Sequence, residues 1–200
     1  MRPLSKNEIW GTVVILLIIF TLTILNLRIS LRRSRDAQRQ ADVNAISDAL
    51  DAYQKDFGYF PPASEDGKIL ACKGSNFGKI PADIKDEDRK TYFFNMLRGC
   101  DWGKDILADV NDDTFTPYMK LIPLDPRTGE GYSYLYISDM NHYQMYAYLE
   151  GGRSEDGFRQ GIVNRNLKCG VNFCNFGKSY GETPLEMSIE EYENELRKIK

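Results

Sequence analysis

Residues Ile9 to Leu27 read IWGTVVILLIIFTLTILNL, nineteen consecutive residues without a charged side chain. A helix rises about 1.5 Å per residue, so this stretch extends about 28 Å, close to the thickness of a bilayer's hydrocarbon core. Inside lipid every backbone amide and carbonyl needs a partner, and a helix supplies all of them from its own chain. Trp10 stands at one end, where an indole favours the interface. A secretory signal has a shorter apolar core, about 7–15 residues, and ends at a small-residue cleavage site. This core runs instead into Asn26-Leu-Arg-Ile-Ser-Leu-Arg-Arg33. The reading is one membrane-spanning segment within residues 1–30, with membrane lipid as its first partner.

The helical pattern continues beyond the span. No proline or glycine occurs from Leu31 to Phe57, and Ile46, Ala49, Leu50, Tyr53 and Phe57 recur at three- and four-residue spacing. Arg39, Asp42, Asp48, Asp51 and Lys55 fall largely off that stripe. Gly58 and Pro61-Pro62 end the pattern. The spacing therefore predicts one stem helix from about residue 8 to 57, about 75 Å long. Its second half is amphipathic and suited to docking on a domain.

The clearest strand signal lies between Tyr132 and Glu150. YSYLYIS and HYQMYAYLE flank the turn-forming Asp139-Met140-Asn141. Met145, Ala147 and Leu149 alternate with Gln144, Tyr146 and Tyr148, which predicts a two-stranded antiparallel hairpin with one apolar face against the stem. Pro123, Asp125-Pro126 and Thr128-Gly129 mark a turn before it. A short helix is expected over Arg89–Leu97, with Tyr92, Phe93, Met96 and Leu97 as its apolar face. Ser188 and Glu191 form a capping box for a last helix running to Lys200. The fold class is α+β: a long N-terminal helix packed on a small antiparallel sheet. Residues 31–150 form stem and head, and residues 151–200 form an extension with a cysteine loop and a short helix.

Four cysteines, Cys72, Cys100, Cys169 and Cys174, all follow the apolar segment. An even number suits an oxidising compartment and two disulfides, and loop closure favours near neighbours, Cys72 with Cys100 and Cys169 with Cys174. Between Arg28 and Arg39 stand five arginines and one acid, Asp36. Beside an apolar span such a cluster reads as a collar facing lipid headgroups. Arg2 and Lys6 precede the span while Arg28, Arg32, Arg33 and Arg35 follow it, so the positive-inside rule and the cysteines point to opposite sides for the head. The formal net charge of the 200-residue chain is −3, and no nucleic-acid partner is expected.

No phosphate-binding glycine loop, nucleophile elbow or His-Glu-x-x-His motif occurs. The single histidine, His142, opens the second expected strand and reads as a surface strand residue. Asp109, Asp112 and Asp113, beside Asn111, lack the glycine and distal glutamate of a calcium-hand loop and read as a solvated loop. The tyrosine rows are spaced as a strand face and lack interleaved basic residues, so sheet packing is favoured over base stacking. No cofactor, catalytic residue or metal ligand is expected, and an enzyme is disfavoured.

Certain segments, taken in order, resemble type IV pilins and the pseudopilins of type II secretion. They are the charge-poor helix, Ser34-Arg-Asp-Ala-Gln-Arg-Gln-Ala-Asp42, the helix end at Phe57-Gly-Tyr-Phe-Pro61, and Tyr118-Met-Lys-Leu-Ile-Pro-Leu-Asp-Pro126 with the tyrosine hairpin. The resemblance covers residue 8 to about 150. It implies a lollipop-shaped subunit that stacks its helix with copies of itself or other pilin-like subunits, in contact with a pilus or secretion assembly machinery. It also implies a cytoplasmic N-terminus and a head outside the cytoplasm or in a surface filament. Glu8 falls where the family carries the glutamate that serves assembly. The cut made by the family's peptidase would then follow Pro3, where the family has glycine, and Leu4-Ser-Lys-Asn7 is polar where the family is apolar. The second expectation is therefore a permanently tethered extracytoplasmic binding or envelope protein with a pilin-like head that does not polymerise.

Overall fold

A computed structural model describes residues 5–81 and 83–199. The expected cleavage point after Pro3, the basic Arg2 and the terminal Lys200 lie outside the described residues. One helix, α1, spans Lys6–Phe57. Ser5 caps it: its side chain accepts the amide of Glu8, whose carboxylate accepts the amide of Ser5 in return. At the other end Gly58 takes a left-handed backbone (φ 75°) and donates its amide to the Gln54 carbonyl, a geometry that a residue with a Cβ resists. The helix is thus punctuated only at its two ends, as the sequence predicts.

The two halves of α1 live in different surroundings. Its most apolar 18-residue stretch is entirely unburied, and Trp10, Leu16, Leu17 and Phe20 are more than half exposed. The helix is long and apolar enough to cross a membrane. The hydroxyls of Thr12, Thr21 and Thr23 donate to the carbonyls of Glu8, Leu17 and Ile19, each at 2.8 Å, so the polar residues of this half are satisfied within the helix. From Asp36 onward the helix enters the head, where Val43, Ile46, Ala49, Leu50 and Tyr53 form one wall of the main core.

The head is a set of small antiparallel sheets. β1 (Leu70–Lys73) pairs with β2 (Leu97–Gly99). Between them lies α2 (Asp86–Asn95). No residue of α2 is buried, and Met96 and Leu97, expected on its apolar face, are buried just beyond its end, Leu97 already in β2. β3 (Leu135–Ser138) and β4 (Tyr143–Ala147) form the predicted hairpin, with Leu135 opposite Tyr146 and Ser138 opposite Tyr143. α3 (Gln160–Asn164) and the short hairpin β5 (Lys168–Cys169) with β6 (Asn172–Phe173) follow. β7 (Phe176–Ser179) then pairs along the free edge of β4, and α4 (Ile189–Ile199) ends the described chain.

The sheet is therefore three-stranded, in the order β3-β4-β7, rather than the two-stranded hairpin expected. β4 is also buried on both faces rather than one. Met145 and Ala147 face the stem in the main core, while Tyr146 packs with Ile162, Cys169, Cys174 and Leu185 in a second core. Alternation of side chains reports which residues share a face; it does not report that a later segment covers the other face. The polar side chains there are paired. Gln144 donates to the Met187 carbonyl at 2.8 Å and accepts from Arg165 at 3.1 Å, and the Tyr146 hydroxyl donates to the Leu185 carbonyl at 3.0 Å.

Cys72 bonds to Cys100 across the β1–β2 pair, and Cys169 to Cys174 across the β5–β6 hairpin, the near-neighbour pairs that loop closure favours. Just past the stem, Phe60 is fully buried, with its ring 4.8 Å from those of Tyr143 and Tyr180. The Pro61 carbonyl accepts the Tyr136 hydroxyl at 2.7 Å. The end of the stem is thereby fixed to both outer elements of the main sheet region.

Candidate functional site at the neck

The place where α1 enters the head is built from charges. Asp36 and Arg39 stand three residues apart on one side of the helix, and both are buried, with Arg39 fully so. The Arg39 guanidinium is used on every edge. Its Nε and Nη2 donate to the two carboxylate oxygens of Asp125 at 2.8 and 3.1 Å, and its Nη1 donates to Asp36 and to Glu150, each at 2.8 Å. Arg35, one residue before Asp36, makes a second fork onto Glu150 at 2.8 and 2.7 Å. Planar forks of this kind match a carboxylate in geometry as well as charge.

The acids are held in turn. Asp36 accepts the backbone amides of Glu150 and Gly151, each at 2.9 Å, so the loop after β4 is tied directly to the stem. Asp125 accepts the amide of Arg127 at 2.8 Å, which closes the turn predicted at Asp125-Pro126. Arg127 donates to Glu150 at 2.9 Å and pairs with Glu130, and its guanidinium lies over the Tyr132 ring. Three arginines and four acids thus connect the stem, the turn at 125–130 and the loop at 150–151. Desolvation works to lower the Arg39 pKa, but the paired acids outweigh it, and the guanidinium stays charged.

This arrangement corrects the sequence reading of the basic cluster. Arg39 does not lie off the buried stripe, and the cluster is not a free collar. Arg32 pairs with Glu155 at 3.2 Å, Arg35 with Glu150, and Arg39 with Asp36, Asp125 and Glu150. Among the described residues only Arg28 and Arg33 of the five form no ion pair. The reason is tertiary: apart from Asp36, the acids that neutralise these arginines arrive from 86 to 123 positions along the chain. A weak signal was present, because Arg35-Asp-Ala-Gln-Arg39 and Asp125-Pro126 both drew attention as motifs, and here they meet.

Further down the stem, tyrosine hydroxyls of the head bond to helix acids. Tyr134 donates to Asp42 at 2.6 Å, Tyr143 to Asp51 at 3.4 Å and Tyr118 to Asp56 at 2.6 Å. Burial pushes the carboxyls of Asp42 and Asp51 above their ordinary range. The tyrosine rows serve packing and anchoring. Glu8 sits in the first turn of α1, where its carboxylate is engaged by Ser5.

The remaining sequence candidates occupy separate places. In the acidic loop, Asp109 and Asp112 accept backbone amides of Asn111 and Thr114, and Asp113 pairs with Lys73 at 2.6 Å. His142 lies at the foot of β4 with its Nδ1 near Asp139 and Glu193, a group that could hold a metal ion. The sequence reads His142 as a surface strand residue, and its proximity to Glu193, fifty-one residues on, is visible only in the fold. No protein-family model, no curated protein and no solved structure matches this chain.

The neck makes the head acid-sensitive in a stated direction. The forks from Arg35 and Arg39 hold the Glu150 carboxyl down at about 2, against an ordinary 4.5. The folded state therefore binds this proton less readily than the unfolded chain. Its contribution is complete above about pH 5 and disappears as pH falls toward 2. The carboxylate is 9% exposed, so the full shift corresponds to about 3 kcal/mol. Asp42 and Asp51, shifted the other way, favour the folded state as they take up protons and offset part of the loss. Denaturant titrations of the parent and Glu150→Gln between pH 6 and 2 isolate the effect. The gap between the two is expected to shrink by about 3 kcal/mol on acidification. A gap independent of pH would contradict the assignment.

Proposed function

We propose that this chain is a pilin-like or pseudopilin-like structural subunit of a type IV pilus or type II secretion filament, acting by helix packing and head–head contacts. The observation that carries the reading is the division of α1. One unbroken helix presents an unburied apolar half, while its other half forms the wall of a disulfide-bonded head. Such a subunit has two places for its apolar half, a bilayer or the apolar halves of neighbouring subunits. The neck ion cluster suits this role because a stem passing from lipid to a filament core needs a fixed angle to its head. Two disulfides support a head outside the cytoplasm.

The capped helix start supports the second reading, a permanent tether. In assembling pilins the glutamate near the start is thought to serve a neighbour's amine, whereas here Glu8 is bound to Ser5. Mass spectrometry of the N-terminus of protein isolated from cells, together with purification of cell-surface filaments, tests both. A terminus trimmed close to Leu4 and stoichiometric presence in filaments is the expected result. An intact Met1 with no filament or complex association leaves only the tether.

A further inference from the structure

We propose that Asp139, His142 and Glu193 form a binding site for a divalent transition-metal ion of the zinc class, which clasps helix α4 to the β3–β4 turn. One ligand atom from each residue lies within 4.8 Å of the others. The three come from two elements that the sequence keeps far apart. Asp139 and His142 bracket the hairpin turn, and Glu193 stands one turn into α4, after the Ser188–Glu191 cap.

The geometry separates a metal site from an ion pair. His142 Nδ1 is buried and, among the described residues, has no hydrogen-bond partner, although Glu193 Oε1 is 3.1 Å away and Asp139 Oδ2 3.6 Å. In a hydrogen bond the oxygen lies along the N–H axis. Where nitrogen and oxygen share one ion, the ion takes that axis and the oxygen stands beside it. Ligand distances of about 2.0–2.1 Å then put nitrogen and oxygen about 3–3.4 Å apart. The Glu193 distance of 3.1 Å falls within that range, and the Asp139 distance of 3.6 Å lies just above it.

The surrounding residues hold the ligands in place. Asp139 Oδ1 accepts the amides of Asn141 and His142 at 2.9 and 2.7 Å, leaving Oδ2 for a further partner. The His142 ring meets the Tyr192 ring edge-on at 5.6 Å, which fixes its plane. Two carboxylates and a neutral imidazole give the site a charge that a divalent cation balances. An imidazole with two carboxylates selects zinc-like ions; calcium and magnesium prefer shells of six or more oxygens. The consequence falls on α4. Among its residues from 189 to 198 only Ile189 is buried, with Tyr192 and Glu193 half-buried, so one metal bond would supply much of the attachment of this part.

The test uses the full chain in detergent micelles, stripped of metal with a chelator. Calorimetric titration with Zn2+ is expected to show one ion per chain, and Ca2+ no binding at the same concentrations. Co2+ should give a visible absorption band of a nitrogen–oxygen site. His142→Ala and Glu193→Gln should each weaken Zn2+ binding at least about 30-fold, since even outer contacts to metal ligands are worth 10–100-fold. Glu190→Gln, on an exposed position of the same helix, should leave it unchanged. Thermal melting of the metal-free variants checks folding, and if His142→Ala fails there, Glu193→Gln on the open helix carries the decision. Amide exchange over residues 189–198 should slow with Zn2+ in the parent alone. No stoichiometric zinc, zinc binding unmoved by both substitutions, or a preference for calcium overturns the proposal.

Discussion

Replacing Arg39 with alanine is expected to destabilise the head by about 3–5 kcal/mol, the usual cost of removing one partner from a buried ion pair. Arg39 is fully buried, and its removal strips Asp125 of two donors and Asp36 and Glu150 of one each. Asp36 and Asp125 are themselves buried, so water cannot replace the lost bonds without opening the neck. Glu150 keeps Arg35 and Arg127 and suffers least. Arg39→Lys should recover little, because one ammonium cannot serve Asp125 through a fork and reach Asp36 and Glu150 as well. The triple change Arg39→Met, Asp36→Asn, Asp125→Asn should cost less than Arg39→Ala alone, because it removes the charges together. Urea unfolding of the full chain in micelles checks all three, followed by the fluorescence of Trp102, which packs edge-on against Tyr134. A loss below 1 kcal/mol for Arg39→Ala would show that the neck is solvated.

The second large effect belongs to the disulfide between Cys72 and Cys100. The bond closes a loop with a sequence separation of 28, against 5 for Cys169–Cys174. Loop-closure entropy gives about 3.5 kcal/mol for the first and about 2 kcal/mol for the second. The larger loop carries α2, no residue of which is buried, and the bond joins the β1–β2 pairing and the Phe94 contact with Tyr59 in tying that excursion to the core. Cys72→Ala with Cys100→Ala should therefore lower the unfolding midpoint more than the corresponding change at Cys169 and Cys174. It should also expose residues 74–96 to protease before the rest of the head unfolds. Equal losses for the two pairs would mean that the short β5–β6 hairpin, packed in the second core, depends on its bond for more than loop entropy.

How legible a feature was in the sequence depended on how local its cause is. The stem could be read from residues that are near neighbours on one helix, and its end from Gly58, whose backbone only glycine adopts freely. The hairpin could be read because alternation and the turn at Asp139-Met140-Asn141 lie within one short stretch. The cysteine pairs followed from separation along the chain. Arg39 misled because a buried arginine and a surface arginine look identical until the acids that pay for burial are found. The second face of β4 misled for a similar reason: Gln144 and Tyr146 read as solvent-facing but are covered by residues 160–189.

The amino-acid sequence by itself determined that this protein has a long helix with an apolar, lipid-compatible first half. It also determined an amphipathic second half and a tyrosine-rich hairpin, since each rests on periodicity within an element; the four cysteines left three pairings open, and loop closure favoured the one the fold adopts. Only the tertiary structure decided that Arg35-Asp-Ala-Gln-Arg39 is the buried joint between stem and head. It alone placed β7 along β4, and it alone brought Glu193 beside His142. Periodicity states which side chains share a face. Which charge, strand or helix arrives at that face is fixed by the packing of segments a hundred residues apart, where burial makes an unpaired charge too costly to keep.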